Sequence, residues 1–296
     1  MNRRDVLSAT VGFAGVAFSG RAFAQERTPL DVAYAGSMGS MMEGPVKAAA
    51  ASLGIEMRGR AQGSDALAQL IVGGTIPVDV FIPVTPGPMM TVLKAGKAQH
   101  AIPLARTEMV IAYSPKSGFA EAFASQPWYE VLQQPGVRFG RTDPATDPQG
   151  RNIIFTMQLA ETYYKQPGLA KKILGGTVNA SQIFSEPTVE ARLQSGELDA
   201  ASAYKTQPGP FDLPFIALPD EINLGNASMH ALYDAASLDL NGKTYHPQAL
   251  VYYAATITGS RHADKAAAFV QWFLSPAGQA ILRKYAYDPP AGASAL

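Results

Sequence analysis

The chain has 296 residues, 24 Lys+Arg against 24 Asp+Glu, 47% hydrophobic residues and no cysteine. This is enough apolar content and length to bury a core in one large or two medium domains, and too much for a disordered chain. The neutral balance lacks the basic excess of a nucleic-acid binder, the absent cysteine removes disulfides, thiolate metal sites and a cysteine nucleophile, and four scattered histidines, His100, His230, His246 and His262, argue against a histidine metal cage.

Residues 1–24 read as an export address rather than as structure. Arg3 and Arg4 open a basic region, Leu7 to Phe18 is apolar but short and rich in small residues, and Ala22-Phe23-Ala24 forms a cleavage signal before Gln25. Asn2-Arg3-Arg4-Asp5-Val6-Leu7 resembles a twin-arginine signal. No cysteine follows, which excludes a lipoprotein anchor. Cleavage removes three arginines and one aspartate and leaves a net charge of −2. The expected product is a soluble exported protein, periplasmic where the cell has an outer membrane.

Beyond the address, strand-like and helix-like patterns alternate, which predicts an α/β architecture. Strands are predicted over 30–35, 55–58, 78–82, 108–113, 198–204 and 250–257. Helices are predicted over 44–53, 64–72, 88–93, 149–164, 189–194 and 264–273, several closed by glycine. The strands at 108–113 and 250–257 divide the chain into one unit of 28–107 plus 258–296 and a second of 108–257. Two crossings between two α/β lobes is the connectivity of a hinged binding protein. Met38, Met41 and Met42 are expected to pack as apolar side chains rather than to hold a soft metal.

Four predicted helices start with similar local chemistry: Gly36-Ser37, Gly63-Ser64-Asp65, Asp147-Pro148-Gln149-Gly150 and Ser185-Glu186-Pro187-Thr188. Each offers an oxygen-bearing side chain near free backbone N–H groups, an arrangement that caps helices and also favours anions. Singly each is best read as a cap; converging on one cleft they would make an anion site.

These residues resemble the molybdate/tungstate-binding proteins of ABC importers, in particular the tungstate-preferring branch. The resemblance is carried by Ala35-Gly36-Ser37, Gln62-Gly63-Ser64, Pro77 to Ile82, the block from Gly140 to Arg151, Tyr204-Lys205 and Leu218 to Leu224. It implies a two-lobed periplasmic-binding-protein type II fold, with the cleft at the hinge and an ABC permease as partner. It implies Ser37 and Ser64 as oxyanion-binding serines, Tyr204 as a cleft tyrosine and a backbone N–H at Gln149 facing the anion. It also implies Asp147 and Glu186 as direct oxygen ligands of the oxyanion's metal, with Glu190 as the fallback for Glu186. Gln149 departs from the family's usual cysteine. The ligand expected is molybdate or tungstate, with no resident cofactor, no nucleic acid and a monomeric chain. The competing readings are a binder of sulfate-like or organic anions, for which Arg141 or Arg151 would face the ligand, and a serine acyl-enzyme built on Ser202-Ala203-Tyr204-Lys205. Helix-face exposure is the expected role of both arginines. No other catalytic motif is present, so a binding protein is expected and not an enzyme.

Overall fold

The computed structural model describes residues 27–290 and 292–296; the predicted export segment lies outside them. Strand β1 (Thr28–Ala35) runs into a 3-10 turn at Gly36–Met38, a single turn α1 (Gly39–Met41), a π-type turn at Met42–Val46 and helix α2 (Lys47–Ser52). The helix predicted over 44–53 is therefore interrupted at its start. Pro45 has no N–H to donate, and Gly44 leaves helical geometry at φ −97°, ψ −105°. β2 (Ile55–Gln62) pairs with β1 along its full length. Its outer half is polar and exposed, which is why its pattern ends early in the sequence.

Next come α3 (Ser64–Val72), β3 (Val80–Ile82), α4 (Pro86–Lys94), β4 (Ile102–Arg106) and β5 (Met109–Tyr113). The middle of the chain forms α5 (Ala120–Ser125), α6 (Trp128–Val131), β6 (Phe139–Gly140), α7 (Pro148–Tyr163), α8 (Leu169–Leu174), α9 (Glu186–Ser195), β7 (Ala200–Tyr204) and β8 (Phe215–Ala217). The remainder is α10 (His230–Tyr233), a hairpin of β9 (Leu238–Leu240) and β10 (Lys243–Tyr245), β11 (Val251–Thr256), α11 (Ala263–Leu274) and α12 (Pro276–Lys284).

Two sheets organise these elements: β2-β1-β3-β11-β4 and β6-β7-β5-β8. The chain first passes between them at Thr107-Glu108, where the Thr107 N–H donates to Leu250 O and the Lys205 N–H to Glu108 O, each at 2.9 Å. It returns at Leu250, ahead of β11. β11 pairs antiparallel with β3 and β4 and so belongs to the first sheet. A division at 257 places this strand in the second unit and needs correction: apolar continuity reports burial on both faces but not which sheet supplies the neighbours.

The burial of α7 explains why its pattern is legible. Ile153, Met157 and Ala160 are fully buried and share one side of a helix that is buried all round from Pro148 to Met157. Met38, Met41 and Met42 are also fully buried and join the main core, where flexible thioethers fill the space under the broken helix. Among the described residues no helix is long and apolar enough to cross a membrane.

Candidate functional site

In the first sheet, parallel pairing of β1 with β2 and β3 sends the loops after β1 and β2 to one edge, where helices start. Ser37 lies in the 3-10 turn after β1. Its Oγ is 2.9 Å from the hydroxyl of Tyr252 on β11, and its carbonyl accepts a hydrogen bond from Tyr287 Oη. Ser64 opens α3 and is buried. Its Oγ accepts the Val84 N–H at 3.1 Å, which occupies a lone pair and leaves the hydroxyl proton free to be donated. The cap position of α3 is Gly63, so no side chain competes for the first N–H groups of that helix.

On the second sheet, Asp147 caps α7, with Pro148 at the first helical position. Its Oδ1 accepts the Gln149 N–H at 2.8 Å. That N–H, expected to face an anion, is thus turned onto the capping carboxylate, because an N-cap side chain reaches the donor two residues on. The Gln149 side chain is used differently. Its Nε2 donates to Gln207 Oε1, which also accepts the Tyr204 N–H, and Gln207 Nε2 donates to Glu186 Oε1. An amide relay therefore joins α7, the end of β7 and α9. Helix α9 begins at Glu186, three residues ahead of its predicted start, with Ser185 as the cap position. Glu186 does not cap; its carboxyl faces the cleft.

Burial, then the charge of Asp147, then Glu190 push the Glu186 carboxyl up to about 8. Burial pushes Glu190 up to about 7. Burial also raises Asp147, against the Gln149 N–H, Thr142 and the positive charge of Arg151. Tyr204 is held neutral: burial and the charge of Asp147 raise it well above the usual phenol range. Tyr204 Oη accepts from Asn152 Nδ2 at 3.0 Å, so its proton too is available to a ligand.

The two sides meet closely. A Cβ on Gly36 would lie 3.0 Å from Glu186 Oε2, and one on Gly63 would lie 3.5 Å from Thr146 O. Glycine at 36 leaves room for the carboxylate. Between these surfaces lies a cleft of about 360 Å³, lined by Gly36, Ser37, Gln62, Gly63, Glu186 and Gln207 among others. Of the expected site residues, Ser37, Glu186 and its fallback Glu190 line this cleft. Gln149 reaches it through Gln207, and Asp147 and Tyr204 are coupled to it electrostatically. Ser64 sits behind Gly63, turned to Val84. Among the described residues no group of three or more His, Asp or Glu side chains could hold a metal ion. A carboxylate pair such as Asp147 and Glu186 is too few for a cage around a bare cation.

Three residues go unnoticed in the sequence: Gln207, Tyr252 and Asn152. Gln207 lies in a turn after Tyr204, closed by Gln207 N–H to Tyr204 O at 2.9 Å; the sequence marks the turn through Pro208-Gly209 but not the role of the side chain. Tyr252 and Tyr253 are adjacent on a strand, and alternation cannot say which one faces the cleft.

The expected exposure of two arginines needs correction, and one competing reading loses its support. Arg141 and Arg151 are not helix-face side chains exposed to water; both are buried. Arg141 donates to Gly176 O and Gln182 Oε1 and pins that loop. Lys205 of the Ser202-x-x-Lys205 pattern donates to Asp288 Oδ2 at 2.8 Å and lies 3.6 Å from Glu108, so it is an ion-paired cation, not a base for a serine.

The sequence family described as bacterial extracellular solute-binding protein matches residues 30–288. An uncharacterized solute-binding protein of Petrotoga mobilis is 32% identical over 200 residues, covering 64% of this chain and 62% of that protein. The molybdate/tungstate-binding protein WtpA of Pyrococcus abyssi is 30% identical over 207 residues, 62% of this chain and 60% of that protein. The chain thus spans about three fifths of the length of these two relatives. The periplasmic molybdate-binding protein of Azotobacter vinelandii has the same fold, with a TM-score of 0.61 at 18% identity over 87% of this chain and 98% of that one.

Proposed function

The chain belongs to the bacterial extracellular solute-binding protein family, and we propose that it captures a molybdate- or tungstate-type oxyanion and delivers it to an ABC permease. The observation that carries this reading is Glu186, brought from α9 against Gly36 while its carboxyl also feels Asp147. Two carboxylates beside a dianion repel it, and buried charge is costly unless compensated. The arrangement becomes favourable when a carboxyl oxygen bonds the metal of the oxyanion directly, or when Glu186 keeps its proton and donates it. Sulfate cannot expand its coordination, so direct ligation would also supply selectivity. In this proposal Ser37 and Ser64 and the helix starts of the first lobe hold the anion's oxygens, and Tyr204 donates from the second. The protein acts by binding, without catalysis or a resident cofactor, as a periplasmic monomer released from the signal segment 1–24.

A thermal-shift series with tungstate, molybdate, sulfate and citrate tests the proposal. A ligand at about 100 times its Kd stabilises by roughly 2.7 kcal/mol, and about 2–4 °C per kcal/mol gives a shift well above error for a chain of this size. Tungstate or molybdate should give the largest shift. A shift with citrate and none with either metal oxyanion would overturn the reading.

A further inference from the structure

Asp65 follows Ser64 in the first turn of α3, and Arg151 follows Gln149 and Gly150 in the first turn of α7. The two helices belong to different lobes, and each carries part of the proposed site. Arg151 is only 7% exposed. Its Nη2 donates to Asp65 Oδ2 at 2.5 Å across the lobes, and its Nη1 donates to Pro144 O at 3.0 Å within its own. Its guanidinium also lies over the Tyr245 ring, 4.6 Å from the centroid. Asp65, Arg151 and Tyr245 line a second cavity, about 480 Å³, that shares no residue with the cleft of Ser37 and Glu186.

An unpaired buried charge is costly, so a buried arginine needs a partner. Arg151 takes its carboxylate from the other lobe. We infer that Arg151 is a positioning residue whose pair with Asp65 latches the two ligand-bearing helix starts together and so sets the lifetime of the bound oxyanion, a role that rests on the oxyanion reading. The latch is built to reopen. The Asp65 side chain is 48% exposed, so water screens the pair. When the lobes part, Arg151 retains Pro144 O and the Tyr245 ring, and Asp65 returns to solvent. A half-exposed charge-assisted pair of this kind is worth about a fivefold change in rate, not the several orders expected of a direct ligand.

The experiment uses Asp65→Asn and Asp65→Glu, because the exposed partner can be changed without emptying the Arg151 pocket. Stopped-flow binding of tungstate should show dissociation about fivefold faster in Asp65→Asn, association within about twofold of the parent, and Asp65→Glu near the parent, given the size of such pairs. The melting temperature without oxyanion should fall by no more than about 2–4 °C, the size of one half-exposed pair. Dissociation at the parental rate in Asp65→Asn would overturn the latch. The chain has no cysteine, so spin labels at Lys94→Cys and Thr162→Cys report the distance between lobes without background. If the parent binds neither tungstate nor molybdate, the ligand reading fails. The latch is then judged on the labels alone: a longer distance in Asp65→Asn supports it and an unchanged one refutes it.

Discussion

Glu186→Gln should make the protein more stable and a worse binder of tungstate. Its carboxyl is pushed from the usual range near 4.5 up to about 8, first by burial and then by Asp147 and Glu190. At 1.36 kcal/mol per pH unit, the full shift gives a ceiling of roughly 5 kcal/mol for holding the carboxylate charged in the folded chain. Local relaxation and water entry reduce this, and about 2–3 kcal/mol is a working figure. The sign follows from linkage. Below the unfolded value both states are protonated and there is no penalty. As pH rises from about 4.5 to about 8 the unfolded chain gives up its proton more readily, so folded stability declines and then levels off. Glutamine removes the charge and keeps the acceptor for Gln207 Nε2, so the amide relay survives. Differential scanning fluorimetry at pH 5 and pH 8.5 should show little difference between parent and variant at the lower pH. At the higher pH the variant should melt roughly 5–8 °C above the parent. The tungstate-induced shift should fall in the same variant, and fall more than any shift produced by sulfate. Equal melting temperatures at pH 8.5 would refute the claim that this carboxyl is held at an energetic cost in the cleft.

Other perturbations follow from the same contacts. Tyr252→Phe removes the hydroxyl 2.9 Å from Ser37 Oγ and should weaken tungstate by about fivefold, near 1 kcal/mol; calorimetry showing parental affinity would remove Tyr252 from the site. Gly150→Ala would place a Cβ 2.5 Å from Thr142 O and 2.7 Å from Pro144 N, both backbone atoms. It should lower the urea midpoint by the equivalent of about 2–3 kcal/mol, and an unchanged midpoint would contradict this packing. Asp199→Asn tests the structural support of the second sheet. Burial alone would raise Asp199, but Arg138 and Ser117 outweigh it and hold the carboxyl below its ordinary value. The variant should lose about 2 kcal/mol at pH 7, discounted because Arg138 is half exposed. The deficit should shrink as pH falls through the Asp199 titration, since a lowered carboxyl contributes stability only while it is charged. A deficit independent of pH would point to packing instead.

What can be read in this sequence is what lies within one turn or one face. Helix α3 is predicted over 64–72 and found there because Gly63 and Gly73-Gly74 punctuate it, and α7 is legible from Asp147-Pro148. Strand β4 escapes notice because Pro103 demotes it. Proline is tolerated there because β4 is the edge of its sheet, and that edge is defined by β11, about 150 residues away. The short helices α5, α6 and α8 have too few turns to show a period. The candidate site divides the same way. Ser37, Ser64, Asp147 and Glu186 announce themselves as polar groups at helix starts, a local signal. Gln207, Tyr252 and the Asp65–Arg151 pair have meaning only through a partner on another element. Even Asp147 shows the limit, because capping and ligand chemistry demand the same residue in the same place, and its carboxyl is already engaged by the Gln149 N–H. The distinguishing fact is the approach of Glu186 to Gly36. A cap needs no glycine facing it from the other lobe, whereas under the proposed function a carboxyl that reaches a shared anion needs that room.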